Sequence, residues 1–271
     1  MRVVDLDRDM SDVIPTGTTR DSQFLFERMT AVTLDATEPG PGRRILDVAS
    51  GFGQDSIALA ARGATVVGAE PSARMTAWAR LVSEKAVTEQ GADAGRLPRW
   101  VRGWSDGLPF RSGSFDAAVC KGAIDHFDRP ELAISEMARV TRPGGRVVLA
   151  IANFESLACR LARCADAVAS WRGKQLGRGR RHYDVPADHF TRYDVGLMRD
   201  QAARFLDLER VQGVSLGWGF GPWTRATGRL PERVADWALR TLDAWASRTP
   251  VWADVVVLVG TPRRSRSSRV A

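Results

Sequence analysis

Two acidic residues and a glycine-bearing turn carry the strongest chemical signal in the chain. In ILDVASGFGQDS, residues 45–56, an apolar run reaches Asp47 and passes through Gly51 and Gly53 into a helical pattern. A strand, turn and helix in that order let backbone approach a ligand closely and aim helix amides at it. Glu70 closes the next apolar run, where an acid can hold the two ribose hydroxyls of a nucleoside. Together these residues specify a nucleoside-type cofactor. A nicotinamide dinucleotide suits them poorly, because Ser56 stands where a third glycine is wanted and Asp47 would oppose a pyrophosphate. The charge pattern favours a cationic ligand, a sulfonium carrying an α-amino group.

This first motif resembles the D-x-G-x-G-x-G of class I S-adenosylmethionine-dependent methyltransferases, with Ala49 where glycine is usual. The resemblance continues in order through GAEPSARM (68–75), GLPFRSGSFDAAVC (107–120), KGAIDHF (121–127), EMARVTRPGGRVVLA (136–150) and DHFTRYDVGLMRDQ (188–201). It is close over residues 40–155 and looser over 185–215 and 253–262. What it implies is S-adenosyl-L-methionine as cofactor. Asp47, Ala49, Ser50, Gly51 and Gly53 would surround its methionine part, with Lys121 opening the loop after the fourth strand. Glu70 would hold the ribose, with Pro71 and Ser72 beside it. The family's adenine-binding acid is missing, and Trp104 stands in its place. Ring stacking by Trp104 and the backbone amide of Ser105 are the adenine contacts this implies, with Asp106 within reach; Trp104 as a buried loop anchor is the competing reading.

Methyl transfer is an in-line displacement at carbon, so the protein mainly aligns the partners and excludes water. A base is needed only where the acceptor must lose a proton. His126, just after the fourth strand at the carboxyl end of the sheet, is the candidate catalytic residue, set against a purely structural loop role. Its neighbour Asp125 reads as a helper to it or, in preference, a solvent-facing charge. His182, Tyr183 and His189 lie in an irregular excursion that in this family commonly covers the acceptor pocket. Trp218 and Trp223, in GWGFGPW, offer a flat apolar wall or anchor their own loop. The spacing of these histidines and Tyr183 with Asp184 and Asp188 matches no tight ligand set, so no metal is expected.

These residues need a scaffold, and apolar runs alternate with helical periods from residue 43 onward. The expectation is a doubly wound α/β fold with a seven-stranded, mostly parallel sheet. Strands are read at Arg43–Ala49, Ala64–Ala69, Arg99–Arg102, Phe115–Cys120, Arg146–Ala152, Leu208–Ser215 and Ala253–Gly260. Helices are read at Asp21–Ala36, Asp55–Ala61, Ala73–Thr88, Pro130–Val140, Ser156–Ser170, Tyr193–Leu206 and Pro231–Ser247. Met75, Trp78, Ala79 and Val82 fall on one helical stripe, and the stripe Val234, Trp237, Ala238, Leu242 and Trp245 is assigned to core packing in preference to a ligand box. Residues 1–40 form a helical lead-in and 41–262 the cofactor-binding domain, with a lid insertion at about 153–192 and a helical insertion at about 217–250. Residues 263–271 read as a disordered basic tail.

Composition narrows the function classes. The 271 residues are 44% hydrophobic and 26% charged, which excludes collagen-like and disordered chains. No apolar run is long enough to span a bilayer, and three cysteines make no disulfide framework, so a cytoplasmic protein is expected. The net charge of +7 is local. Four arginines lie in residues 263–271 and five basic residues in 171–181, and the remainder carries −2. Nucleic acid is therefore not the expected partner, and a small-molecule acceptor is. An RNA-modifying methyltransferase and a non-catalytic cofactor-binding scaffold are the alternatives. The motifs leave the oligomeric state open.

Overall fold

A computed structural model of the chain describes residues 18–90, 97–173, 181–186 and 189–263. Expectations for the first residues of the lead-in, for the tail beyond Arg263 and for parts of the Gly- and Arg-rich excursion lie outside these. Strands β1 (Arg44–Val48), β2 (Thr65–Ala69), β3 (Arg99–Val101), β4 (Phe115–Lys121), β5 (Thr141–Ala152), β6 (Leu206–Val214) and β7 (Val255–Pro262) form one sheet. Its order is β3-β2-β1-β4-β5-β7-β6. β1 to β5 pair in parallel, while β7 runs antiparallel between β5 and β6. The expected doubly wound, seven-stranded, mostly parallel sheet is the one observed. β4 and β7 are buried on both faces, as continuous apolar runs in a covered sheet must be.

Helices α1 (Arg20–Ala36), α2 (Gln54–Ala61), α3 (Ala73–Gln90), α4 (Pro130–Val140), α5 (Leu157–Trp171), α6 (Val195–Ala203), α7 (Gly221–Arg229) and α8 (Glu232–Ala246) complete the molecule. The period of two along β1 sorts them. Ile45 packs in a cluster with Leu25, Met29, Val32 and Leu34 of α1 and Leu59 of α2. Leu46 and Val48 pack on the other face with Ile134 and Met137 of α4 and Met198 of α6. α1 is thus part of the main core. Asp47 and Lys121 fall on the α1/α2 face, which decides their partners.

Two apolar stripes face the core only in part. On α8, Val234, Trp237 and Trp245 are exposed, and Ala235, Leu239, Asp243 and Ala246 are buried instead. The helix is rotated by its one buried acid. Asp243 accepts the Ser215 N–H and pairs with Arg28 at 2.6 Å. Small residues then allow close approach: a Cβ on Gly213 of β6 would lie 2.2 Å from the Ala246 carbonyl. On α3 the buried stripe is Met75, Thr76, Ala79 and Ser83, while Trp78 sits at the rim against Phe52. α6 is shorter than expected, because Asp194 caps it and Tyr193 leaves the helix to enter the core, its hydroxyl bonded to Gln201. β5 starts earlier than expected, at Thr141, across an irregular pairing with β4.

Candidate functional site

At the carboxyl ends of β1 and β2 the register sets Asp47 beside Gly68 and Val48 beside Ala69, so Asp47 and Glu70 end neighbouring strands. The chain leaves β1 through Ala49 (φ 58), Gly51 (φ 53) and Gly53 (φ 88), all left-handed. The Ala49 and Ser50 amides both donate to the Ala69 carbonyl, and the Gly53 amide closes the turn on Ser50. Ala49 thus adopts the conformation of the usual glycine, at a cost of about 1–2 kcal/mol for a residue with a Cβ. Gly53 serves a second purpose: a Cβ there would lie 2.2 Å from the Trp100 ring, and one on Gly68 2.4 Å from it. Trp100 of β3, which the motif reading missed, therefore fills the space behind the turn. Its signal in the sequence was only a tryptophan in register with a strand glycine.

Glu70 is buried, and burial raises its pKa against two hydrogen bonds that lower it. Those bonds come from the amides of Gly51 and Ser72, each at 3.0 Å. The carboxylate thereby ties the turn to the start of α3, which the Ser72 hydroxyl caps by accepting the Met75 amide. Pro71 lies between them, and its carbonyl accepts from Arg102. A carboxylate has further lone pairs, so these bonds leave capacity for ligand hydroxyls.

Asp47 is more unusual. It is 3% exposed, accepts the Ser56 hydroxyl at 2.6 Å, and has its pKa pushed up to about 7. Burial is the main cause, followed by the charge of Asp55, with Ser56 and Lys121 pulling the other way. The Lys121 ammonium bridges Asp55 at 2.8 Å and Thr30 of α1 at 2.7 Å. Its side chain is thus committed to α1 and α2, a network that sequence spacing alone could not show. Such a half-neutral pocket suits a ligand that brings its own positive charge.

The loop after β3, expected to meet adenine, is open to solvent at Trp104. Trp104 is 60% exposed, so the buried-anchor reading fails and its ring is accessible. Ser105 is half-buried beside it, and Asp106 is held by Arg129.

Across from this, the turn Ile124–His126 follows β4. Ile124 enters the core, and Asp125 follows it inward, its side chain 4% exposed. Asp125 is therefore not the solvent-facing charge expected of it. Its backbone carbonyl accepts the amides of Phe190 and Thr191, fastening the returning chain there. That brings His189 to it, with Nδ1 2.9 Å from Asp125 Oδ2. The His126 and His189 rings meet edge to face at 4.3 Å. His182 and Tyr183 do not join them. His182 packs against Trp218 at 5.0 Å, and Trp218 against Phe26 of α1 at 6.0 Å. The Tyr183 hydroxyl donates to Asp166 of α5. Trp223 lies behind Gly217, its indole Nε1 buried. Asp184 accepts the Arg181 amide, and Asp188 is outside the described residues.

The sequence profile described as "Methyltransferase domain" matches residues 46–149. The demethylmenaquinone methyltransferase of Beutenbergia cavernae is 37% identical over 142 residues, 52% of this chain and 50% of that one. The chain thus spans about half the length of this relative. The demethylmenaquinone methyltransferase of Mycobacterium tuberculosis is 34% identical over 209 residues, 73% of this chain and 76% of that one. Among solved structures, the putative methyltransferase complexed with the Trm112 activator of Haloferax volcanii has a TM-score of 0.57 at 19% identity, over 91% of this chain and 94% of that one. Magnesium protoporphyrin IX methyltransferase of Synechocystis, solved with bound S-adenosylhomocysteine, has a TM-score of 0.55 at 15% identity, over 89% and 83%.

Proposed function

The chain belongs to the S-adenosylmethionine-dependent methyltransferase family, and from that premise we propose that it transfers the methyl group of S-adenosylmethionine to a flat, largely apolar small molecule. The observation that carries this is the pairing of Asp47 and Glu70 at adjoining strand ends, with the Ala49–Gly53 turn between them and a histidine pair at the end of β4. Glu70 would hold the ribose, Trp104 and Ser105 the adenine, and Asp47 would balance the cationic methionine part. Phe26, Trp218 and His182 form an aromatic wall, which supports a planar acceptor. The names of the relatives, both for demethylmenaquinone, point to the same class. His126 is the catalytic residue of this proposal, taking a proton from the acceptor as the methyl carbon is attacked. The reacting atom is then one that must shed a proton: an O–H, an N–H or an acidic ring C–H. Trp223 and Tyr183 would support the pocket from behind.

Nucleic acid is left out of this reading, since the charge of +7 is confined to two short segments. A cytoplasmic location belongs to the same proposal and rests on three free thiols, Cys120, Cys159 and Cys164. The test is to incubate the full chain with isotopically labelled S-adenosylmethionine and fractionated cell extract. The expected product is an organic-soluble compound heavier by one labelled methyl group. Label confined to RNA would select the RNA-modifying alternative. Donor binding with no labelled product in any fraction would select the scaffold.

A further inference from the structure

The fold brings His189 to the consecutive pair Asp125 and His126, and the three side chains have donor atoms within 4.8 Å of one another. Two features set this cluster apart from an ordinary ion pair. Asp125 Oδ1 and His189 Nδ1 are both fully buried, and neither makes a hydrogen bond. Yet His189 Nδ1 lies 2.9 Å from Asp125 Oδ2, close enough for one, so the N–H is not aimed along that line. Buried polar atoms normally find partners, and two orphans on touching side chains ask for a third body between them. His126 Nε2 stands 4.0 Å from Asp125 Oδ1, on the more open side, with its side chain 33% exposed.

We propose that Asp125, His126 and His189 form a binding site for a divalent first-row transition metal ion. Two imidazoles and one carboxylate are a donor set suited to zinc, cobalt or iron, with ligand distances near 2.0–2.2 Å. Donors around one such ion lie roughly 3–3.5 Å apart; here His189 Nδ1 is 2.9 Å from Asp125 Oδ2, His126 Nε2 is 4.0 Å from Asp125 Oδ1, and one donor from each residue falls within 4.8 Å of the others. A small rotation of the half-exposed His126 ring closes the difference. The frame is already rigid: Ile124 is anchored in the core, and the Phe190 amide holds the Asp125 carbonyl at 2.8 Å. Three protein ligands leave coordination positions open next to the end of β4, where an acceptor oxygen would bind the ion. In the metal-loaded protein His126 is a ligand, and in the metal-free protein it is the base.

The site is tested on the full chain after chelation and dialysis, with Co²⁺ as the probe. One Co²⁺ per chain should bind with visible d–d absorption. Asp125→Asn and His189→Gln should each weaken that binding by about tenfold or more, the scale on which even supporting residues of metal sites act. His182→Gln should leave it unchanged. S-adenosylhomocysteine binding, followed on the same samples, shows that each variant is folded and keeps the donor site separate from the metal site. A wild-type measurement guards against variants that fail to fold: with histidine-selective ¹⁵N labelling, Zn²⁺ should shift two of the three histidine signals, leaving the one absent from the His182→Gln spectrum in place. No stoichiometric Co²⁺ binding, binding indifferent to Asp125→Asn and His189→Gln, or movement of all three histidine signals together would overturn the proposal.

Discussion

Asp47 carries the clearest chemical consequence of a single residue's surroundings. Its pKa of about 7 means that it is partly protonated in the free protein near neutrality. A cationic donor beside it would favour the charged form and expel that proton. Donor affinity should therefore rise with pH up to about 7 and level off above it, and calorimetry in buffers of different ionisation heat should detect proton release. Asp47→Asn should remove both effects. Glu70 was legible as an acid at a strand end, but its bonds to the Gly51 and Ser72 amides were not, since they depend on where the turn folds back. Glu70→Ala should weaken donor binding by about 1–3 kcal/mol, the range for hydrogen bonds to a charged group. His126→Ala should cut turnover by ~10²–10⁴-fold while donor affinity barely changes. The inward turn of Asp125 was illegible, because its partner His189 lies far along the chain and nothing local distinguishes a buried acid from a surface one.

Among the elements, the turn between β1 and α2 was the most readable, because its conformation is local and glycine marks it. Ala49 shows the limit of that reading. Its left-handed backbone is strained for any residue with a Cβ, so Ala49→Gly should stabilise the fold by about 0.5–1 kcal/mol, measured as a shift in denaturant midpoint. Gly53→Ala should do the reverse, because the new methyl meets the Trp100 ring. Pairing it with Trp100→Leu should recover part of the loss if that ring is the cause; equal destabilisation with or without the second change would point to the backbone at φ 88. The α8 stripe failed for a different reason. Its tryptophans have the right period, but Asp243, Ala235 and Ala246 turn the opposite side inward, so tertiary bonding overrides hydrophobic pattern. The period shows that a helix forms and leaves open which side it buries.

At the scale of the whole molecule, a mostly parallel sheet with crossover helices follows from apolar runs alternating with helical periods, which is why the sheet could be anticipated, though its order β3-β2-β1-β4-β5-β7-β6 could not. The coupling of β7, the 215–218 turn and α5 could not. It runs through Asp254, a buried acid that accepts the Trp218 amide at 2.9 Å and has its pKa pushed up to about 7, chiefly by burial. Because this value is above the unfolded one, the folded state holds more protons between roughly pH 4 and 7. Stability from this group thus falls as pH rises through that window. Asp254→Asn should flatten the fall in melting temperature between about pH 4 and 7; an unchanged slope would exonerate the residue. The central claim is that the strand ends around Asp47 and Glu70 hold S-adenosylmethionine. Titration calorimetry of the purified chain with S-adenosylhomocysteine and with NAD tests it most directly. The account predicts a one-to-one isotherm for the first, weakened by Glu70→Ala, and none for the second; NAD binding in preference to S-adenosylhomocysteine would contradict it.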